Sequence, residues 1–493
     1  MVTNWFKQII QDNFSAEALK NFFSFSLTEP WFFTEFSFLF VFGIFLLVYA
    51  FVVKHHFWKK LYVIAFSLFF YYKSSGPFLL LFALMILSDY YFASLIHKKE
   101  GRWKKVYLWL ALSYSLSFLL YFKYANFFIQ NFNSLLGTDF SEHNLFLPIG
   151  ISFYTFQTVS YTIDVYRGEV KAQKNIVNFL MFVSLFHQLV AGPIVRYQTI
   201  EAEMENRKFN WADISSGVGR FCFGLFKKVI IANTAGELVT KYLENGFNDL
   251  SSPEAWFGII LFSIQIYFDF SGYSDMAIGL GRMFGFHYDE NFRHPYAAIS
   301  VGDFYRRWHI SLGKFFRDYV YIPLGGNRKM QLRNIMIVWL LTGLWHGASW
   351  NFVLWGFYFG CFMIIEKLLE NTLKKTPRII RHCYTLFLII FSRSIFYFVD
   401  FSKLKQFIVK LFNNPLPVKD AFYTDIYNHA FWFILVIFLC IPWDEIVKPE
   451  HYLRKKTELI YAYAQPVVNG LLLILCITFL IDSTYNPFIY FRF

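Results

Sequence analysis

"LLTGLWHGASWNFVLWG", residues 340–356, is apolar, aromatic or small at nearly every position, yet it carries an imidazole, His346, at its centre between Trp345 and Gly347. A run of this composition reads as membrane-buried chain, where an ionisable group is rare and costly. The rest of the sequence has the same character. Of 493 residues, 56% are hydrophobic and only 16% are charged, whereas a soluble chain carries about 25% charged residues. The mean hydropathy is +0.39. The 66 Phe suit lipid-facing and interhelical positions, and the 32 Tyr and 14 Trp suit interfacial belts.

Apolar runs recur at 36–53, 60–73, 77–96, 106–122, 145–165, 176–194, 217–234, 255–280, 334–349, 351–367, 384–399, 430–443 and 466–482. Several are short for a full crossing, so about ten to twelve transmembrane helices are expected, with re-entrant or interfacial helices beside them. The predicted fold is an all-α polytopic membrane protein. Basic clusters separate the runs: "KHHFWKK" (54–60), "HKKEGRWKK" (97–105), "KKTPRIIRH" (374–382) and "LRKK" (453–456). Their place is the cytoplasm, which accounts for the net charge of +12. Counted from them, 334–349 enters from the cytoplasm and leaves His346 toward the outer half of the membrane. The tail 483–493 emerges on the outer side of a multi-pass protein.

A nucleic-acid-binding role would need a basic soluble domain, and the sequence holds none. The five cysteines form no CxxC pair and lie mostly in apolar runs, so neither a disulfide framework nor a metal site is expected. No cleavable signal is evident. Residues 1–30 read as an amphipathic N-terminal segment, with Trp5, Phe6, Ile9, Ile10 and Phe14 near helical spacing. Residues 31–493 read as one transmembrane domain with core motifs at 147–356.

A neutral imidazole near pH 7 keeps a lone pair for a hydroxyl proton, and burial favours the neutral form. Gly343, Gly347, Ala348 and Ser349 around His346 permit close approach of backbone or substrate. His309 lies in "DFYRRWHISLGKFFRDY" (303–319). A helix over 302–319 aligns Phe304, Trp308, Leu312 and Phe315 in one stripe. Its cations, Arg306, Arg307, Lys314 and Arg317, either snorkel to an interface or bind a phosphate-bearing donor. In "SIQIYFDFSGYSDMAIGLGRMFG" (263–285), Gln265, Asp269 and Tyr273 share one helix face, and Ser271 and Asp275 share another. Two carboxylates in a span require partners, water or protons. The tail "PFIYFRF" (487–493) reads as a segment that tucks into a groove or lies at the interface.

Five ordered segments resemble the membrane-bound O-acyltransferase family in its bacterial alginate-acetyltransferase-like branch: "LPIGISFYTFQTVSYTIDVYRG" (147–168), "QLVAGPIVRY" (188–197), "QIYFDFSGYSDMAIGLGRMFGF" (265–286), "NFRHPYAAISVGDFYRRWHISLGKFFRDYVYIPLGGNR" (291–328) and the opening stretch. The resemblance implies a helical bundle around a tunnel, with His346 as the catalytic histidine and His309 at the second family position. It implies acetyl-CoA as donor, bound on the cytoplasmic side near Arg306, Arg307, Lys314 and Arg317. It further implies a polysaccharide acceptor, an outer-side acetyltransferase partner of the serine-esterase type, and residence in the bacterial inner membrane. In a sister branch that transfers D-alanine to teichoic acid, a separate peptide ends in an aromatic motif whose tyrosine carries the acyl group. Phe488, Tyr490 and Phe493 resemble that motif, which makes Tyr490 a candidate acyl carrier. Asp269, Tyr273, Asp275, Trp345 and Asn327 are expected to support the site. The competing functions are D-alanyl transfer, a proton-coupled transporter using Asp269 and Asp275, and a scaffold for envelope assembly.

Overall fold

The structure, a computed structural model, describes residues 24–26, 30–190, 192–207, 210–447, 451–482, 488 and 489, with the backbone alone along 451–463. The amphipathic segment expected over 1–30 lies almost wholly outside the described residues, as does Tyr490. The chain divides into two compact units, one up to Val190 and one from Ala191 onward. Among the described residues the regular structure is helical throughout.

The first unit holds α1 (Phe36–Leu47), α2 (His56–Ser75), α3 (Phe78–Lys98), α4 (Gly101–Leu136), α5 (Ile151–Arg167), α6 (Ile176–Ser184) and α7 (Phe186–Leu189). Its core gathers on the fully buried Phe186, whose ring meets Phe66 at 5.0 Å, Phe70 at 5.9 Å and Phe33 at 6.1 Å. Two buried polar pairs form there: Lys60 Nζ donates to Asn178 Oδ1 at 2.9 Å, and the Ser115 hydroxyl donates to Asp89 at 2.6 Å. Such pairing is the condition for burying them.

The second unit opens with α8 (Tyr197–Asn206) and α9 (Trp211–Phe226), which passes through a π-helical turn, Lys227–Ala232, into α10 (Asn233–Val239). Next come α11 (Ser252–Met283), α12 (Val301–Arg307), α13 (Ile310–Phe316), α14 (Gln331–His346), α15 (Trp350–Leu368) and α16 (Glu370–Lys375). The unit closes with α17 (Arg378–Tyr397), α18 (Phe401–Phe412), α19 (Asp420–Asn428), α20 (Ala430–Cys440), α21 (Trp443–Ile446) and α22 (His451–Asp482). Helix α11 starts where Glu254 accepts the Ser251 N–H (2.8 Å) and hydroxyl (2.7 Å), which satisfies an otherwise orphaned donor at the helix entry. It is the axis of this unit: 78% of its apolar window is buried, against 6% for Ala464–Ile481 in α22.

Among the described residues six helices are long and apolar enough to cross a membrane: α3, α4, α11, α15, α17 and the 464–481 stretch of α22. The pair α19–α20, bent by 61°, makes a seventh if it is one span. Of the other apolar runs that hydropathy picks out, several fold as shorter or interrupted helices. The run 176–194 breaks at Leu185, where φ is −51° and ψ is 113°. The run 217–234 is split by the π turn, and α14 is 16 residues long.

Glycines set how closely the helices approach. A Cβ on Gly217 would strike the Gly279 carbonyl, and one on Gly224 would strike the Gly272 carbonyl; the reverse holds for both pairs. The pairs are seven residues apart on each helix, so α9 and α11 touch backbone to backbone along one seam. Gly343 of α14 and Gly356 of α15 make a second seam: a Cβ on Gly343 would meet the Phe352 carbonyl and one on Gly356 the Trp339 carbonyl. These obstacles are backbone, so neither can be relieved by a side-chain rotation. Gly224→Val is therefore expected to destabilise the protein by about 3 kcal/mol or more, whereas Gly43→Ala, which points into open space, shifts stability by less than about 1 kcal/mol. Thermal melting of the two variants in detergent checks the contrast.

Candidate active site

His346 is the last residue of α14. The helix stops there because Gly347 is fully extended, with φ −169° and ψ 158°. The imidazole thus sits at a helix C-terminus, among carbonyls without intrahelical partners. Three rings enclose it edge to face: Trp345 at 4.9 Å, Trp355 at 5.0 Å and Phe396 at 5.1 Å. It remains half-buried. An aromatic clamp of this kind fixes the orientation of the ring.

His309 is held differently. The single helix expected over 302–319 is broken: α12 ends at Arg307, His309 takes a left-handed conformation with φ 47°, and α13 begins at Ile310. The apolar stripe survives the break, since Phe304, Trp308, Leu312 and Phe315 are all buried. A left-handed residue other than glycine costs roughly 1–2 kcal/mol, and strain of this kind concentrates at functional positions. The break turns the imidazole inward, where it is 2% exposed. Its ring meets Phe270 at 4.7 Å and Trp345 at 5.6 Å. Trp345 therefore touches both imidazoles.

The tautomer of His309 follows from one asparagine. The Ser311 backbone N–H, which can only donate, points at Asn291 Oδ1 (3.2 Å), and the Ser311 hydroxyl donates to the same oxygen at 2.8 Å. The amide nitrogen of Asn291 donates to Ser274 Oγ at 3.1 Å. Because Asn291 presents its oxygen, His309 Nδ1, 3.1 Å away, must carry the proton. Nε2 is then the lone-pair nitrogen. It is buried and meets no hydrogen-bonding partner among the described residues. Burial pushes the His309 pKa down to about 3, so the ring is neutral across the physiological range.

The carboxylates of α11 are ion-paired. Asp269 Oδ1 lies 2.8 Å from Lys228 Nζ, and both side chains are 3% exposed. Asp275 accepts Lys227 at 2.7 Å and Arg220 at 2.8 Å, and Arg220 also binds Glu290. Asp269 Oδ2 accepts the Ile489 backbone N–H at 2.8 Å, while Phe488 packs on Tyr273 with centroids 4.7 Å apart. Ile489 lines a cavity of about 760 Å³ together with Gln265, Phe262, Leu243, Tyr397 and Phe398. A second cavity, of about 470 Å³, is lined by Arg220, Lys227, Asp275, Ser274 and Asn291.

The four cations proposed for the donor face carboxylates. Arg307 meets Asp303 at 3.1 Å and Glu445 at 2.6 Å, Lys314 meets Asp289 at 2.6 Å, and Arg317 meets Asp318 at 2.6 Å. Arg306 has only a 3.8 Å contact with Asp303, and its side chain is 73% exposed. Asn327 accepts from the Tyr321 hydroxyl (2.6 Å) and from Gln331 (2.8 Å), so it ties the 321–331 turn rather than facing either histidine. Sequence reading passed over Asn291, Arg220, Lys227 and Lys228. The cue that was present is "FKKVIIAN", two lysines inside an apolar run, which in lipid demands acidic partners elsewhere.

Residues 105–399 match the model of the membrane-bound O-acyltransferase family, MBOAT, and the chain belongs to that family. It is 40% identical over 329 residues to the probable alginate O-acetylase of Azotobacter vinelandii, an alignment covering 65% of this chain and 66% of that protein. It is 36% identical over 356 residues to the peptidoglycan O-acetyltransferase of Helicobacter pylori, covering 65% and 67%. The teichoic acid D-alanyltransferase of Bacillus subtilis is 29% identical over 254 residues, covering 47% and 62%. The chain thus spans roughly two thirds of the length of these relatives.

The folded pKa of His309 lies below the usual 6.5. Protons therefore bind the unfolded chain more readily. The stability due to the neutral ring is complete above pH 6.5 and is lost as pH falls toward 3, by up to about 1.4 kcal/mol per pH unit. His309→Asn, which tolerates the left-handed backbone, is expected to flatten that acid slope in thermal melts run from pH 7 to pH 4. An unchanged slope means the ring is not held neutral by burial.

Proposed function

We propose that this chain is an O-acetyltransferase that takes an acetyl group from acetyl-CoA at the cytoplasmic face and delivers it to hydroxyls of an exported or cell-surface polysaccharide, with Tyr490 as the carrier. Supporting the reaction class are the family and the O-acetylating relatives. The observation that carries the relay is the anchoring of the two residues before Tyr490: the Ile489 N–H on Asp269 and Phe488 on Tyr273, with Ile489 in the wall of the larger cavity.

In this reading His346 removes the proton from the attacking tyrosine hydroxyl, assistance worth about 10²–10⁴-fold. The oxygen adds to the thioester carbonyl, the C–S bond breaks, and the thiolate takes the proton back from the imidazolium. The product is a phenyl ester. Its leaving group has a pKa near 10, so onward transfer to a sugar or serine hydroxyl on the outer side is downhill. His309, neutral and with its Nε2 lone pair available, orients the donor or accepts a hydrogen bond from it. Arg306, the most exposed of the four cations, is the best placed to meet the phosphates of the donor. The protein sits in the bacterial inner membrane with 483–493 on the outer side, beside an acetyltransferase of the serine-esterase type.

Acetyl is preferred to D-alanyl because the O-acetylating relatives share 36–41% identity while the D-alanyl relatives share 26–29%. A proton-coupled transporter is disfavoured because both α11 carboxylates already neutralise lysine or arginine partners.

Incubation of purified protein with labelled acetyl-CoA is expected to place label on the peptide containing Tyr490. Tyr490→Phe and His346→Ala are both expected to remove that label and to cut glycan acetylation in cells at least 100-fold. Full glycan acetylation with Tyr490→Phe would overturn the relay, and activity retained by His346→Ala would overturn the base.

A further inference from the structure

Arg393 lies on α17 with its side chain 2% exposed. Among the described residues no carboxylate forms an ion pair with it, and its Nε and Nη2 meet no acceptor. Its guanidinium stacks over the Trp308 ring at 4.6 Å and lies beside the phenols of Tyr296 and Tyr305. An ionised group buried without a countercharge is among the costliest features a fold can hold, and orphaned buried donors call for an acceptor from outside the protein.

The location narrows what that acceptor is. Trp308 immediately precedes His309. Phe396, one helical turn beyond Arg393 and on the same face of α17, packs on His346 at 5.1 Å. Arg393 therefore sits between the supports of the two histidines. Among the described residues two further buried donors in the same neighbourhood lack acceptors: the Trp355 Nε1–H, whose ring touches His346 at 5.0 Å, and the Tyr305 hydroxyl. Donors without acceptors, gathered around a base, fit a ligand that is acceptor-only and gains negative charge as it reacts.

We propose that Arg393, with Trp355 beside it, binds the carbonyl oxygen of the acyl thioester and stabilises the oxyanion. The inference rests on the acyl-transfer reading above. When the hydroxyl oxygen adds and His346 takes its proton, the carbonyl π pair moves onto oxygen, where the guanidinium N–H groups receive it. When the carbonyl re-forms, the C–S bond breaks and the thiolate leaves with the proton from His346. Nothing beyond donor and acceptor is consumed. Arg393 also has a static cost, since among the described residues no carboxylate neutralises its charge.

That cost makes the test decisive. Arg393→Gln is expected to lower kcat for labelled acetyl-CoA by about 10²–10³-fold with KM within about threefold, to be partly rescued in Arg393→Lys, and to melt no lower than wild type in detergent. Trp355→Phe, which keeps an aromatic ring and removes the N–H, is expected to lose about tenfold in kcat. Turnover of Arg393→Gln within about threefold of wild type overturns the inference. So does a melting temperature several degrees below wild type, which would make the arginine a structural residue. If wild type itself does not use acetyl-CoA, the acyl-transfer reading fails, and the melting comparison alone judges the arginine: a variant that melts lower overturns its assignment as a binding charge.

Discussion

In the second unit α9 and α11 meet backbone to backbone along a seam, through Gly217 and Gly279 and through Gly224 and Gly272. No side chain fits there, and that lack brings three cations of the α9 segment within reach of α11. Arg220 and Lys227 close on Asp275, and Lys228 closes on Asp269. In an apolar surrounding each of these charges alone would cost several kcal/mol; together they are tolerated, and α11 can carry polar groups through its middle. The second oxygen of Asp269 is then left to accept the Ile489 N–H. The position of the residues just before Tyr490 thus traces back to two pairs of missing Cβ atoms.

The two histidines show how one side chain serves two purposes when its surroundings differ. His346 is gripped by ring edges from Trp345, Trp355 and Phe396 and stays half-buried. His309 is sealed, strained into a left-handed backbone and locked in one tautomer by Asn291. The first arrangement suits a group that exchanges protons, and the second suits one that only points. Trp345, in contact with both rings, keeps their spacing fixed as a matter of packing.

What could be read from the chain alone was the helical membrane class, the apolar stripe through Phe304, Trp308, Leu312 and Phe315, and the importance of the Gly-rich surroundings of His346, since all three are local patterns of period or composition. What could not be read depends on contacts between distant segments. Asn291 looks like any loop residue until the fold brings Ser311 against it. The break at His309 is invisible in hydropathy because the stripe runs on across it. The partners of Asp269 and Asp275 sit about fifty residues upstream, inside a run that reads as one plain span until a π turn divides it. Near His309, the carboxylates that meet Lys314 and Arg307 from outside the 303–319 stretch, Asp289 and Glu445, could not be anticipated from that stretch.

The π turn over Lys227–Ala232 also governs how this stretch can change over time. Bonds of the i→i+5 type accommodate one residue more than a regular helix would, so the surplus is absorbed inside the turn and the helix before it keeps its phase against the helix after it. Removing one residue there would return the segment to a regular helix and leave Arg220 and the glycine seam facing α11. The same deletion in a regular stretch of α11 would instead turn one side of the helix by about 100° against the other.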